Sequence, residues 1–266
     1  YPPLILSTTL VPFIAKLDSS GGVLMFSSVI NSTVNGVGRG SSIIADKHLN
    51  IYVTGYTNSV SFPTTAGAIR TTFTSQEGFL MKLNPLGGLM FSTYIGGSNS
   101  DVLRGIDLDP NGNIYVVGNS SSSDFHLSVP GYSKTKSGTS QDVVVCKLKN
   151  DGSSMSYATY IGGSTGGETG TAIAIDNNGN SYFTGFGAST NFPTTTGSFK
   201  TAPASGDIFV SSLDSSGTIL RKSTAVGQGY SYGIDVDECG FVVISGYTGS
   251  PTFPITSDAF VKTVSS

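Results

Sequence analysis

The chain alternates short runs of β-branched and aromatic residues with polar, glycine-bearing turns. Residues 172–175 form one such run and close on Asp176. Asn177-Asn178-Gly179-Asn180 reads as a turn, and residues 181–185 as a second run. A polar linker holding Asn191-Phe192-Pro193-Thr194-Thr195 follows. Residues 208–213, the turn Asp214-Ser215-Ser216-Gly217 and residues 219–225 complete the set. Runs of this length between turn clusters predict four β-strands.

The same grammar recurs along the chain. A Lys-Leu or Ser-Leu step ends the third predicted strand at Leu17, Leu83, Leu148 and Leu213, at spacings of 66, 65 and 65 residues. Each leucine is followed four residues later by glycine: Gly21, Gly87, Gly152 and Gly217. Asp46, Asp109, Asp176 and Asp237 close the first strands. Nine residues on stand Gly55, Gly118, Gly185 and Gly246, and seven further Phe62, Phe125, Phe192 and Phe253. A fixed period with fixed turn residues is one supersecondary unit reused. The fold it predicts is all-β: a β-propeller of four four-stranded blades of about 65 residues, in a single domain. The repeats run 13–78, 79–142, 143–207 and 208–266. A segment of a larger propeller is the alternative. The chain enters and leaves in complementary phase, with linker-like sequence at 1–9 and again from Phe253-Pro254 onward. Pairing N-terminal with C-terminal strands would then close the ring and remove two edges. It starts at Tyr1 without a signal peptide, as a mature or excised chain would.

Turn chemistry follows the same logic. Asp109-Pro110-Asn111-Gly112 places Asp, Pro and Gly where a type I turn with a left-handed closing residue needs them. Asp46-Lys47-His48-Leu49 puts leucine in the glycine position, so that hairpin is expected to be strained or reshaped. Within each repeat the hairpin turns are tight and the other connections longer. Both longer kinds fall on one face, which makes that face the candidate working surface.

Composition narrows the picture. Charged residues are 12% of the chain, against roughly 25% in an average domain. Glycine numbers 35 and hydrophobic residues are 38%, a profile for strands and turns rather than for helices or disorder. Net charge is −3, the pI is about 5.2 and there is no Lys/Arg cluster, so nucleic acid is not an expected partner. No apolar run is long enough to predict a transmembrane helix. Cys146 reads as a small buried hydrophobe and Cys239 as a turn residue; neither implies a disulfide framework.

The sequence also resembles the bacterial β-propeller repeat family known as SBBP. The resemblance is carried by Tyr94-Ile95-Gly96-Gly97-Ser98, Gly105-Ile106-Asp107-Leu108-Asp109, Gly112-Asn113-Ile114-Tyr115-Val116 and Asn191-Phe192-Pro193-Thr194. It extends over essentially the whole chain. It departs at Glu238-Cys239-Gly240-Phe241, and at Phe125-His126-Leu127, which lacks the Phe-Pro step. The resemblance implies a secreted or surface-attached, usually bacterial protein and brings no shared catalytic motif.

Chemistry-bearing residues are few. His48 and His126 fall in different repeats, and no His-Glu-x-x-His motif occurs. Asp107, Asp109 and Asn111 mimic the opening of a calcium loop, yet Gly118 stands where a bidentate Glu is required, so the run reads as a turn. No metal or other cofactor is expected. Asn31-Ser32-Thr33 and Asn119-Ser120-Ser121 fit the N-glycosylation pattern. Candidate binding residues on the loop-rich face are Arg39, Asp101, Arg104, Asp124, His126, Glu168 and Tyr230. Arg39, Arg104, Thr171 and their neighbours diverge between repeats, which suits one composite surface. The expected function is a secreted or cell-surface scaffold that binds protein or glycan through that face. A structural module of a surface stalk or filament is the second reading. A polysaccharide- or peptide-acting hydrolase or lyase is the third, using Asp107 and Asp235 at one shared strand position.

Overall fold

The computed structural model describes residues 11–30, 37–126 and 128–261. The sequence 1–9 and Asn31-Ser32-Thr33 lie outside the described residues. The described chain holds sixteen strands and no helix. They are β1 (Phe13–Leu17), β2 (Leu24–Val29), β3 (Gly38–Ala45), β4 (Ile51–Thr57), β5 (Glu77–Leu83), β6 (Leu89–Ile95), β7 (Asp101–Leu108) and β8 (Ile114–Ser120). The second half continues with β9 (Asp142–Leu148), β10 (Met155–Ile161), β11 (Glu168–Ile175), β12 (Ser181–Gly187), β13 (Asp207–Leu213), β14 (Leu220–Gln228), β15 (Tyr230–Val236) and β16 (Val242–Tyr247).

Three antiparallel four-stranded sheets follow chain order: β3–β6, β7–β10 and β11–β14. Two-stranded sheets flank them, β1–β2 and β15–β16. Each whole sheet therefore straddles two of the sequence repeats, taking its first two strands from one and its last two from the next. The flanking sheets are halves of the same pattern, with β1–β2 matching third and fourth strands and β15–β16 first and second. The pairing of β16 with β1 expected for a closed ring is not made. Among the described residues no strand pairs with the free side of β1 or β16, and Phe13, Val243 and Tyr247 are exposed there.

The core lies between sheets. Along β9, Val143 and Val145 face the cluster shared with β11–β14, while Val144, Cys146 and Leu148 face the one shared with β3–β6. Successive residues point to opposite faces. A strand packed on both faces must therefore be apolar throughout, which is why its run is continuous rather than alternating.

The repeated anchors now have causes. Asp109 accepts from the Asn111 and Asn113 amides at 3.0 and 2.9 Å and from Asn113 Nδ2 at 2.8 Å. Asp46 and Asp176 repeat this pattern, and each of the three also accepts from a tyrosine hydroxyl: Tyr115, Tyr52 or Tyr182. The carboxylates are saturated by donors, as the turn reading requires. Leu49 takes φ 63° in the place of glycine, so the first of these hairpins is strained but keeps its shape. Gly87, Gly152 and Gly217 have positive φ and lie under Phe26, Phe91 and Tyr157 of the preceding sheet, where a Cβ would collide. Lys16 and Lys82 reach forward to the Pro85 and Asn150 carbonyls of the following sheet, at 2.8 and 3.1 Å. Phe62, Phe125 and Phe192 are buried linker residues. Phe62 packs on Phe79 at 4.8 Å, Phe125 on Tyr160 at 6.2 Å and Phe192 on Phe209 at 4.6 Å.

Candidate functional site: an axial cavity at the loop-rich end

The first strands β3, β7, β11 and β15 contact one another in succession. Each carries a bulge: the register with its neighbour shifts around Ser41, Arg104, Thr171 and Tyr232. Gly55, Gly118, Gly185 and Gly246 face these bulges. A Cβ on any of them would fall onto the carbonyl oxygen of Arg39, Val102, Thr169 or Tyr230. The glycine anchor is thus the residue that lets the backbone close on the bulge. A bulge re-aims the extra side chain. Ser41, Arg104, Thr171 and Tyr232 all line one cavity of about 450 Å³, joined by Arg39, Ser42, Thr169 and Phe186.

The register also fixes which end this is. Glu77 pairs with Thr57 and Gly78 with Ile95, so the long linkers and the links between sheets leave from one end. Arg39 and Arg104 lie near the starts of β3 and β7, at that end.

Arg104 is half-buried and donates from Nε to Asn119 Oδ1 at 3.2 Å. Burial pulls its guanidinium below the ordinary value, and the charge of Arg39 adds to this, while Tyr56 and Tyr232 oppose it. Asn119 itself is buried and donates to Gln141 Oε1 at 3.0 Å, so it supports Arg104 from behind and is not an exposed glycan acceptor. Beside the cavity, Tyr230 packs on Phe186 at 4.5 Å and on Tyr247 at 5.0 Å, and Tyr232 lies 5.9 Å from Tyr247.

Of the residues singled out in the sequence, Arg39 and Arg104 meet at this cavity and Tyr230 borders it. Asp101 and Glu168 do not: both are fully buried at the first positions of β7 and β11. Each faces a second buried acid across a glycine. A Cβ on Gly96 would meet both Glu77 and Asp101, and one on Gly162 both Asp142 and Glu168. Asp101 accepts from the Gly97 amide at 2.7 Å and from Ser122 Oγ at 2.9 Å, and Glu168 from the Gly163 and Ser189 amides. These acids join neighbouring sheets. Burial pushes Asp101 up to about 6, Asp142 to about 6 and Glu168 to about 7, with Glu77 and Asp142 adding repulsion to Asp101 and Glu168. Asp124 is exposed and accepts from Ser98 N at 2.8 Å and Ser98 Oγ at 3.0 Å, tying a long linker to a link between sheets. His126 takes φ 44° and packs edge-on to Phe125 at 5.1 Å. Burial and Arg70 push its imidazole down to about 4, so it is neutral.

Asp107 accepts from the Leu108 and Ile175 amides, both at 2.8 Å, the latter on the next sheet. Asp235 accepts from the Val236 amide at 2.8 Å. Burial raises Asp107, with a further push from Asp235. The two carboxylates are within electrostatic reach, and both are engaged by backbone donors. Sequence reasoning missed Ser41 and Tyr232; the shared glycine nine residues after each Asp was the available signal.

Residues 39–63 and 91–126 match the family model for the SBBP beta-propeller repeat. These two segments are similar to the SBBP repeat. The first covers β3, β4 and the Phe62-Pro63 step; the second runs from β6 through β8 to His126. No curated relative matches the chain. Among solved structures, a mutant of the Synechocystis apocarotenoid oxygenase is similar, with TM-score 0.42 and 9% identity over 84% of this chain. The match covers 46% of that protein. No helix among the described residues is long and apolar enough to cross a membrane.

Proposed function

We propose that this SBBP-repeat protein is a secreted or cell-surface β-propeller scaffold that binds protein or glycan at its loop-rich end. The observation that carries this reading is the contrast between two sets of repeated positions. The turn glycines Gly87, Gly152 and Gly217 and the buried Phe62, Phe125 and Phe192 recur from repeat to repeat, whereas Ser41, Arg104, Thr171 and Tyr232, at one shared position, differ in every one. A frame kept constant around a varied cavity suits a single composite site. Screening the protein on a glycan array and against cell-surface protein extracts tests it. Absence of any saccharide or protein ligand defeats the reading.

Closure of four blades into a ring belongs to the same proposal. The pairing follows the whole sheets, where Ile51 faces Leu83 and Gly55 faces Phe79. By the same spacing Val242 would face Leu17 and Gly246 would face Phe13. Support comes from the axial cavity, to which β3 and β15 both contribute. The bare edges of β1 and β16 equally favour the second reading, a module in a stalk joined edge to edge. Cysteines at Ala15 and Ile244, with Cys239→Ser, separate the two. An intrachain disulfide supports the ring, an interchain ladder supports the stalk, and no cross-link removes both.

A further inference from the structure

We infer that the axial cavity takes an acidic saccharide unit, its oxyanion held between Arg39 and Arg104. This rests on the reading of the loop-rich end as a binding face and names the ligand class for it.

Arg39 and Arg104 belong to different sheets, yet both line the cavity and are close enough for one charge to disfavour the other. Among the described residues neither takes part in an ion pair; the three cations that do are Arg70, Lys147 and Lys200. Arg104 commits only Nε to a protein acceptor, and the Arg39 side chain forms no hydrogen bond among the described residues. Two guanidinium groups kept together without a carboxylate partner repel each other, and an oxyanion bound between them relieves that cost. The charged groups farther along the axial strands have the opposite sign. Asp107 and Asp235 lie three residues beyond Arg104 and Tyr232, while the carboxyls of Asp101 and Glu168 at the starts of β7 and β11 are turned into the joints between sheets. An anion held between the two arginines therefore meets negative charge deeper in and is kept from passing further.

The rest of the lining selects a sugar. Ser41 and Ser42 supply hydroxyls that both donate and accept, Thr169 accepts from Gln141 Nε2 and keeps its proton to donate, and Thr171 donates to the Thr184 carbonyl and keeps only acceptor capacity. Phe186 and the half-exposed Tyr232 supply aromatic surface in the same cavity, where the apolar face of a pyranose can pack. Its volume of about 450 Å³ lies within the range of roughly 300–1,000 Å³ usual for small-ligand sites.

The oxyanion could be the carboxylate of a uronate or a sulfate ester. Calorimetric titration with an oligogalacturonate, a sulfated chondroitin tetrasaccharide and neutral maltotetraose distinguishes these sources. At least one acidic probe should bind, with affinity falling as salt is raised, and maltotetraose should bind at least about tenfold more weakly. Arg39→Gln and Arg104→Gln should each weaken the acidic probe by about tenfold or more, as loss of a charge-assisted bond does. The Arg39 side chain is exposed and makes no bond to the frame, so its variant reports on binding and not on folding. Equal binding of acidic and neutral probes, unchanged affinity in both variants, or no binding of either acidic probe overturns the inference. If the array shows a ligand that binds both variants as well as the parent, the inference fails while the scaffold reading stands. If neither the array nor the surface extracts show a ligand, the scaffold reading fails.

Discussion

Leu49 shows what a single residue concedes to the repeated frame. It occupies φ 63°, the conformation that Gly112, Gly179 and Gly240 take at the same turn position, and its side chain is exposed. A left-handed leucine costs roughly 1–2 kcal/mol, with no packing here to offset it. Leu49→Gly should therefore stabilise the protein by about 1 kcal/mol, less the added freedom of the unfolded chain. The measurement is a shift of the urea midpoint to higher concentration; no shift, or a fall, contradicts the account. The sequence showed this defect directly, because a hairpin turn is a local matter of four residues and one carboxylate. The same locality made Asp46, Asp109 and Asp176 readable as turn caps. Asp101 and Glu168 were misplaced on the surface for the converse reason. Each is buried against Glu77 or Asp142, which begin the strands β5 and β9 two strands earlier in the chain, and nothing in the local sequence announces that meeting.

At the scale of the element, strand order and the number of strands per sheet were legible, because turns and apolar runs recur in phase. The bulge was not. It adds one residue to β3, β7, β11 and β15 without changing their apolar character, and so shifts which side chain meets the axis. Its trace is the facing glycine. Gly118→Ala would drive a Cβ into the Val102 carbonyl and the Leu103 backbone. The β7–β8 pair would have to flatten, and Arg104 would leave the cavity wall. A loss of about 2 kcal/mol is expected. Gly40→Ala is the control, since its nearest neighbour is Val53 Cγ1 at 3.8 Å, an ordinary contact. Chemical unfolding of the two variants should separate them clearly. Comparable stability would show that the bulge does not need its glycine.

For the whole molecule, the joints between sheets set a pH dependence that no single repeat contains. Asp101, Asp142 and Glu168 sit at two such joints with folded values of about 6, 6 and 7, well above the usual carboxylate range near 4. Burial disfavours their charged forms, so between those limits the folded chain holds more protons than the unfolded one. Stability then falls as pH rises. Its full contribution is present at and below about pH 4 and is lost through pH 6–7. Asp18, Asp46, Asp176 and Asp214 act in the other direction. Hydrogen bonds depress their values, and they remove stability only as pH falls below about 4. The two sets together place the optimum near pH 4–5, on the acid side of neutrality. The melting temperature should drop between pH 5 and pH 8, and Glu168→Gln should flatten that drop while raising the melting point at pH 8. Glutamine keeps the shape, but its single carbonyl oxygen can accept from only one of the Gly163 and Ser189 amides, which reach different oxygens of the carboxylate, so the flattened slope reports the ionisation and the lost bond subtracts a pH-independent amount. A parent protein more stable at pH 8 than at pH 5 would mean that these carboxylates stay charged when buried, with a cation between the sheets to compensate them.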